Sequence, residues 1–189
     1  MSKPREPAPA KLVVSLFSGD RDRISAALGI ISGKFGKADF ISEFLPFNYT
    51  DYYRKEMGEN LERRIASFED LIRQDSLPDI KLFTNEVEAG FSEEGKRKIN
   101  IDPGYMTEFN FVLASGKAYA HRLYLRNGIY ADLTLIFRSK SFHPLEWTYP
   151  DYAGETIRGI LSKIRKKYIY QLKGSGSPSF AKRGEGEIL

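Results

Sequence analysis

Two short segments of this chain set tyrosine beside aspartate: Asn48-Tyr49-Thr50-Asp51-Tyr52-Tyr53 and Trp147-Thr148-Tyr149-Pro150-Asp151-Tyr152. Tyrosine joins a flat apolar ring to a phenolic hydroxyl, so such segments suit a ring-bearing ligand such as a base or a sugar. Both read as loops, where binding residues concentrate. The competing reading is structural: Asp151 caps the last helix, Thr50 or Asp51 caps a short one, and the rings cover the sheet edge. There are two imidazoles, His121 and His143. His121, with Asp102, is the candidate for general acid–base work. Its alternative is a core histidine bonded to a backbone carbonyl. Arg122 reads either as a cross-strand ion pair with Asp132 or, with Lys81 or Arg64, as an anchor for a phosphate or carboxylate. The candidate binding set is Asp51, Tyr52, Arg64, Lys81, Tyr105, Arg122, Trp147, Tyr149 and Asp151.

Composition removes several chemistries. The chain has no Cys, which excludes disulfides, thiolate zinc, iron–sulfur clusters and a cysteine nucleophile. Two His rule out a histidine-rich metal site, so a metal would be held mostly by carboxylates, as Mg²⁺ or Ca²⁺ can be. No phosphate-loop, dinucleotide, HExxH, GxSxG or EF-hand pattern occurs. No metal site is therefore assigned, and no cofactor is identified. No apolar run reaches the roughly 20 residues of a membrane span, and Met1–Ala10 does not resemble a secretory signal, so a cytoplasmic home is expected.

The net charge of +4 is unevenly spread. Residues 1–10 carry +1, residues 153–173 carry +5, residues 174–189 carry zero and the remaining body carries −2. Arg158, Lys163, Arg165, Lys166 and Lys167 lie on one predicted helix, which makes RNA or DNA an alternative partner. No aromatics interleave with these cations, which weakens that reading.

The elements that must position the candidates follow from periodicity. Leu12–Phe17 suits a buried strand, and Asp20 caps a helix to about Lys34 that Gly36 stops. Asp39–Phe44 alternates as a second strand, and Arg64–Phe68 reads as a third. Ser76 and Pro78 open a second helix whose end is expected at Gly95. Lys98–Ile101 reads as a short strand before a turn at Asp102-Pro103-Gly104. Met106–Ser115 fits a strand or a short helix.

A hairpin turns at Arg126-Asn127-Gly128, and a three-residue loop pairs Leu125 with Ile129, Leu123 with Ala131 and His121 with Leu133. That register gathers Tyr119, Leu123, Leu125, Ile129, Ala131, Leu133, Leu135 and Phe137 on one apolar face, and sets Arg122 opposite Asp132 on the other. The last helix buries Ile157, Ile160, Leu161, Ile164 and Tyr168 and turns its basic residues outward.

These elements give an α+β fold: an antiparallel sheet with a ferredoxin-like βαββαβ core and helices on one face, extended by a C-terminal hairpin and a basic amphipathic helix. Residues 1–10 are expected to be a flexible arm, 11–173 a single domain and 174–189 a disordered tail.

The blocks FNYTDYYRKEMG (47–58), SFEDLI (67–72), DIKLFTN (79–85), INIDPGYMT (99–107), AHRLYLRNGIYADLTL (120–135) and WTYPDY (147–152) resemble a family of bacterial proteins known only as a domain of unknown function. The resemblance covers roughly residues 8–173. It implies a compact cytoplasmic bacterial protein and supplies no activity, substrate or cofactor. The chain departs from the family's usual residues at Asn48, Arg54 and Ser115-Gly116, and if the first loop binds a cation in relatives, the first two argue against one here. The function expected from all of this is a small-ligand-binding domain, open to catalysis, for an anionic ring-bearing ligand such as a nucleotide or phosphorylated metabolite. A nucleic-acid module using the basic helix and a scaffold without a pocket are the alternatives. The sequence leaves the oligomeric state open.

Overall fold

The structure, a computed structural model, describes residues 3–50 and 52–174. The expected tail lies outside these residues except for Gly174, and so does the candidate Asp51. In chain order the elements are β1 (Ala10–Ser18), α1 (Arg21–Phe35), β2 (Ala38–Ile41), β3 (Leu45–Pro46), α2 (Arg54–Met57), β4 (Glu62–Ile72), α3 (Leu77–Gly90), β5 (Ile99–Met106), β6 (Asn110–Ser115), β7 (Arg122–Arg126), β8 (Ile129–Arg138), β9 (Ser141–Pro144), α4 (Pro150–Ala153) and α5 (Glu155–Gly174). The strands form one nine-stranded sheet in the order β2-β4-β1-β5-β6-β8-β7, with β3 also on the edge of β4 and β9 also on the edge of β8. Every pairing is antiparallel.

Alternation along β1 decides the layers. Leu12, Val14 and Leu16 pack with Ala66, Phe68 and Ile101 beneath Ile24, Leu28 and Ile31 of α1 and Ile80 and Val87 of α3. Val13 points the other way and packs with Ile65 and Met106 against Ile157, Leu161 and Ile164 of α5. A central strand covered on both faces is apolar on both, which is why β1 reads as an unbroken run. The mixed α/β class with an antiparallel sheet therefore stands, but the helices cover both faces rather than one.

Local signals explain most boundaries. Asp20 accepts hydrogen bonds from the amides of Asp22 (2.9 Å) and Arg23 (3.3 Å), and Gly36 at φ 88° ends α1. Helix α3 has Pro78 in its first turn but stops at Gly90, short of the expected Gly95. Gly95, at φ 72°, instead serves the turn where Glu93 bridges Lys96.

The expected turn at Asp102-Pro103-Gly104 is not a turn; all three residues lie inside β5. Strand β6 pairs with β5 only at Gly104–Met106, so Ile99–Pro103 present an outer edge without a strand partner. Proline lacks an amide hydrogen and is tolerated where the edge is open. Gly104 is required by close approach: a Cβ there would stand 2.5 Å from the Val112 carbonyl oxygen.

The hairpin combines both turn possibilities. Asn127 (φ 54°) and Gly128 (φ 74°) form a two-residue turn that pairs Arg126 with Ile129. A register shift between Tyr124 and Arg126 then restores the pairs Tyr124–Tyr130, Leu123–Ala131 and Arg122–Asp132. The expected Leu125–Ile129 and His121–Leu133 pairs are absent, because the bulge absorbs Leu125 and β7 starts only at Arg122. The faces also differ from expectation. Arg122, Asp132 and Thr134 are buried, whereas Leu123 is 73% exposed on the sheet edge.

Candidate functional site

The described structure contains a cavity of about 650 Å³ at the end of the sheet where β1 and β6 finish and β4 and β5 begin. It opens because β5 and β6 part company below Gly104. Into that fork α3 sends two charged side chains that close the bare edge. Lys81 Nζ donates to the Ile101 carbonyl (2.8 Å), and Glu88 Oε1 accepts from the Ile101 amide (2.6 Å). Burial pushes the Glu88 carboxyl above its ordinary pKa. Lys81, a candidate ligand contact, thus lines the cavity while holding its wall.

Both tyrosine-rich segments reach this cavity. Tyr49, Thr50, Tyr52 and Tyr53 line one side, and Tyr149, Pro150, Asp151 and Tyr152 another. The first loop is fixed by an aromatic stack: Phe17 lies 4.2 Å from Phe47 between ring centroids, and Tyr53 meets Phe17 edge-on at 4.9 Å. The loop after β6 completes the mouth, where Lys117 Nζ stands 5.1 Å from the Tyr52 ring centre. Burial raises the pKa of Tyr53 and Tyr152, so both hydroxyls stay protonated at neutral pH.

Arg122 ties three of these pieces together. Its Nε donates to Asp132 Oδ2 (2.7 Å), Nη1 to Ser115 Oγ (2.7 Å) and the Lys117 carbonyl (3.1 Å), and Nη2 to Tyr149 Oη (3.0 Å). The cross-strand pair expected from sequence is present, but buried. Arg97 does comparable work opposite, bonding Glu56 through Nε (3.0 Å) and Nη2 (2.9 Å) and Asn100 through Nη1 (3.1 Å). The hydrogen bonds from Arg97 hold the Glu56 carboxyl below its ordinary pKa. Asp102 takes Asn100 Nδ2 at 2.7 Å and has Lys81 Nζ 3.8 Å away, with its side chain 30% exposed toward the cavity.

Arg63, which sequence reasoning passed over, forms the floor and is 3% exposed. Its guanidinium centre lies 4.5 Å from the Phe47 ring centre, 5.3 Å from Tyr152 and 5.6 Å from Phe17. Nη2 meets Asp151 Oδ2 at 2.6 Å. Asp151 is therefore an ion-pair partner within the single turn of α4, not the cap of the last helix. Burial works against the charge on Arg63, yet Tyr152, Asp151 and Asp102 hold its pKa above the ordinary arginine value.

The remaining candidates fall elsewhere. Arg64 is the next residue along β4 and points to the opposite face, where Nε donates to the Ser42 carbonyl (3.1 Å) and the guanidinium covers Phe44 (4.1 Å). Tyr105 packs with Leu77 and Val112, away from the cavity. His121 sits in the turn before β7, stacked between Tyr119 (6.1 Å) and Trp147 (5.2 Å), with Nε2 3.5 Å from Asp132 Oδ2. It is behind the cavity wall rather than on it, and it is not bonded to a carbonyl in the core. Trp147 donates through Nε1 to the Leu133 carbonyl (2.8 Å) beside it. His143 belongs to β9 and shares a 2.9 Å hydrogen bond with Ser141. The structure thus brings Tyr52, Lys81, Asp102, Arg122, Tyr149 and Asp151 together and leaves Arg64, Tyr105, His121 and Trp147 outside.

On α5, Arg158 donates to the carbonyls of Ala153 (3.0 Å) and Phe142 (3.1 Å), Arg165 to that of Glu108 (2.8 Å) and Lys167 to that of Asp39. Among the described residues no cluster of three or more His, Asp or Glu could hold a metal ion, and no helix is long and apolar enough to cross a membrane. No curated protein and no solved structure matches the chain significantly. The profile of one family does, over residues 8–168, and the chain therefore belongs to that family, a domain of unknown function designated DUF4416.

Proposed function

We propose that the domain binds a small anionic, ring-bearing ligand, of the kind a nucleotide or phosphorylated metabolite represents, in the cavity between the two tyrosine-rich segments. The observation that carries this reading is their convergence: segments a hundred residues apart in the chain supply Tyr49, Tyr52 and Tyr53, and Tyr149 and Tyr152, to one cavity that also holds Arg63, Arg97 and Arg122. A volume of about 650 Å³ suits a small molecule. Stacked or edge-on rings accept a planar ligand, and cations compensate its charge. Asp102, exposed to the cavity and bonded to Asn100, is the carboxylate best placed for acid–base work if chemistry follows binding.

The basic helix supports a nucleic-acid reading less well. Arg158, Arg165 and Lys167 direct donors to backbone carbonyls of the same chain, and the exposed cations of its middle turns are three lysines, Lys163, Lys166 and the carbonyl-bound Lys167. The scaffold for the cavity is, in this proposal, a ferredoxin-like core: β2-β4-β1-β5, with α1 and α3 as the two helical crossovers, follows that strand order within the wider sheet. We place the protein in the bacterial cytoplasm, in keeping with a chain that has no Cys.

Native mass spectrometry of freshly purified protein, followed by a thermal-shift screen of nucleotides and phosphorylated metabolites, tests the function. Binding raises the melting temperature in proportion to ligand concentration over Kd. A screen in which no anionic ring compound stabilises the fold, while RNA or DNA does so in a salt-dependent manner, would replace this reading with the nucleic-acid one.

A further inference from the structure

Among the described residues, the buried side-chain atoms that lack a hydrogen-bond partner are Ser15 Oγ, Arg63 Nε, Arg63 Nη1 and Tyr152 Oη. They gather at one place. In the pairing of β1 with β4 and β5, Phe17 lies opposite Arg63 and Ser15 opposite Asp102, so Ser15, Arg63 and Asp102 share a face. Tyr152 reaches that face from α4, and its hydroxyl neighbours Ser15 without completing a hydrogen bond. A buried donor left unpaired costs about 1–3 kcal/mol, and more when charged. Among the other described residues no buried side-chain nitrogen or oxygen is left without a partner, so a guanidinium only partly satisfied under a cavity needs an occupant to explain it.

We infer that the cavity takes its ligand oxyanion first: a carboxylate or phosphate oxygen accepts from Arg63 at the floor, with Tyr152 as a second donor, while the ring lies outward among Tyr49, Tyr52 and Tyr149. This rests on the ligand-binding reading above and adds the direction of binding. Arg122 and Arg97 are the weaker anchors, because hydrogen bonds to Asp132, Ser115 and Tyr149 and to Glu56 and Asn100 engage most of their donors, and Asp132 and Glu56 already meet their charge. Lys117 is the competing anchor. It stands at the mouth over Tyr52, and an oxyanion held there would leave the ring pointing inward.

Two matched pairs of probes separate the cases: AMP against adenosine for a phosphate, and nicotinate against nicotinamide for a carboxylate. Calorimetric titration of the wild-type protein should show at least about a tenfold preference for the anionic member of one pair, the size of one charge-assisted hydrogen bond. Arg63→Gln should reduce that ratio to near one, and Lys117→Ala should keep it. Loss of the ratio in Lys117→Ala with retention in Arg63→Gln overturns the inference and leaves the ligand-binding reading intact. Equal wild-type affinity for the two members of both pairs also overturns it, and points to water at the floor. No binding by any probe counts against both.

Arg63→Gln could fail to fold, so a second measurement uses the wild-type chain. The Arg63 Nε–H resonance, identified by its nuclear Overhauser contacts to the Phe47 and Tyr152 rings, should shift when the anionic probe saturates the protein and stay in place with its neutral partner. An unmoved resonance at saturation contradicts the inference.

Discussion

Strands β1 and β4 carry a polar cluster at each end of the face covered by α4 and α5, and the two ends differ in how completely their charges are met. At one end Lys11, wholly buried, donates to Asp39 and to Gln171 Oε1 (2.7 Å), Ser67 Oγ donates to Asp39 Oδ1 (2.6 Å), and Gln171 Nε2 donates to the Glu69 carbonyl (2.8 Å). At the other, Arg63 meets Asp151 through one nitrogen, while its other two nitrogens, Ser15 and Tyr152 have no partner. Val13 and Ile65 lie between them. A closed network holds α5 onto the sheet. An open one lies under a cavity. The difference teaches that burial of charge alone does not single out a candidate site; it is incomplete satisfaction beneath an opening that our proposal rests on.

The largest effect expected from breaking this contrast comes at the closed end. Asp39→Ala strands a buried lysine and should remove about 3 kcal/mol or more of stability in urea unfolding, while leaving ligand binding unchanged. At the open end the outcome should reverse. Replacing both partners by apolar residues, Arg63→Met with Asp151→Leu, should leave stability within about 2 kcal/mol of wild type, or raise it, and abolish preference for an anionic ligand. Equal stability losses in the two experiments would erase the distinction.

Acid sharpens the same contrast. Burial works against the Asp39 carboxylate, but hydrogen bonds from Lys11 and Ser67 hold its pKa below the ordinary value. A carboxyl with a depressed folded pKa contributes stability above its unfolded pKa, near 4, and loses it as pH falls through the folded value. Unfolding free energy should therefore drop below about pH 4, and Asp39→Ala should flatten that part of the profile. The smallest effect concerns the cavity wall. Tyr149→Phe removes one hydrogen bond to Arg122 and should cost about 1 kcal/mol, with a weakened affinity measured by calorimetry.

Much of the scaffold was legible because its signals are local. Asp20 and Gly36 bound α1, and of the expected β7–β8 pairs Leu123–Ala131 and Arg122–Asp132 hold while Leu125–Ile129 and His121–Leu133 do not. What escaped was set by partners distant in sequence. Pro103-Gly104 carries the residues of a turn, yet the open edge of β5 and the carbonyl of Val112 place both in a strand. The site was half legible. Tyrosine beside aspartate marks two segments that do line one cavity, but it is Arg63 that faces it and not the expected Arg64, a one-residue difference that inverts the side of a strand. No pattern in the sequence distinguishes the two arginines, since they are consecutive residues of β4, a strand covered on both faces. Imidazole chemistry alone singles out His121, and only the turn before β7 removes it from the wall.

The most direct test of the ligand-binding account is an amide chemical-shift map of the ¹⁵N-labelled chain titrated with AMP and, separately, nicotinate. The account predicts perturbations concentrated in residues 47–53, 115–119 and 149–152 and around Arg63. Perturbations confined to Arg158–Lys167, or none at saturating concentrations of either probe, would contradict it.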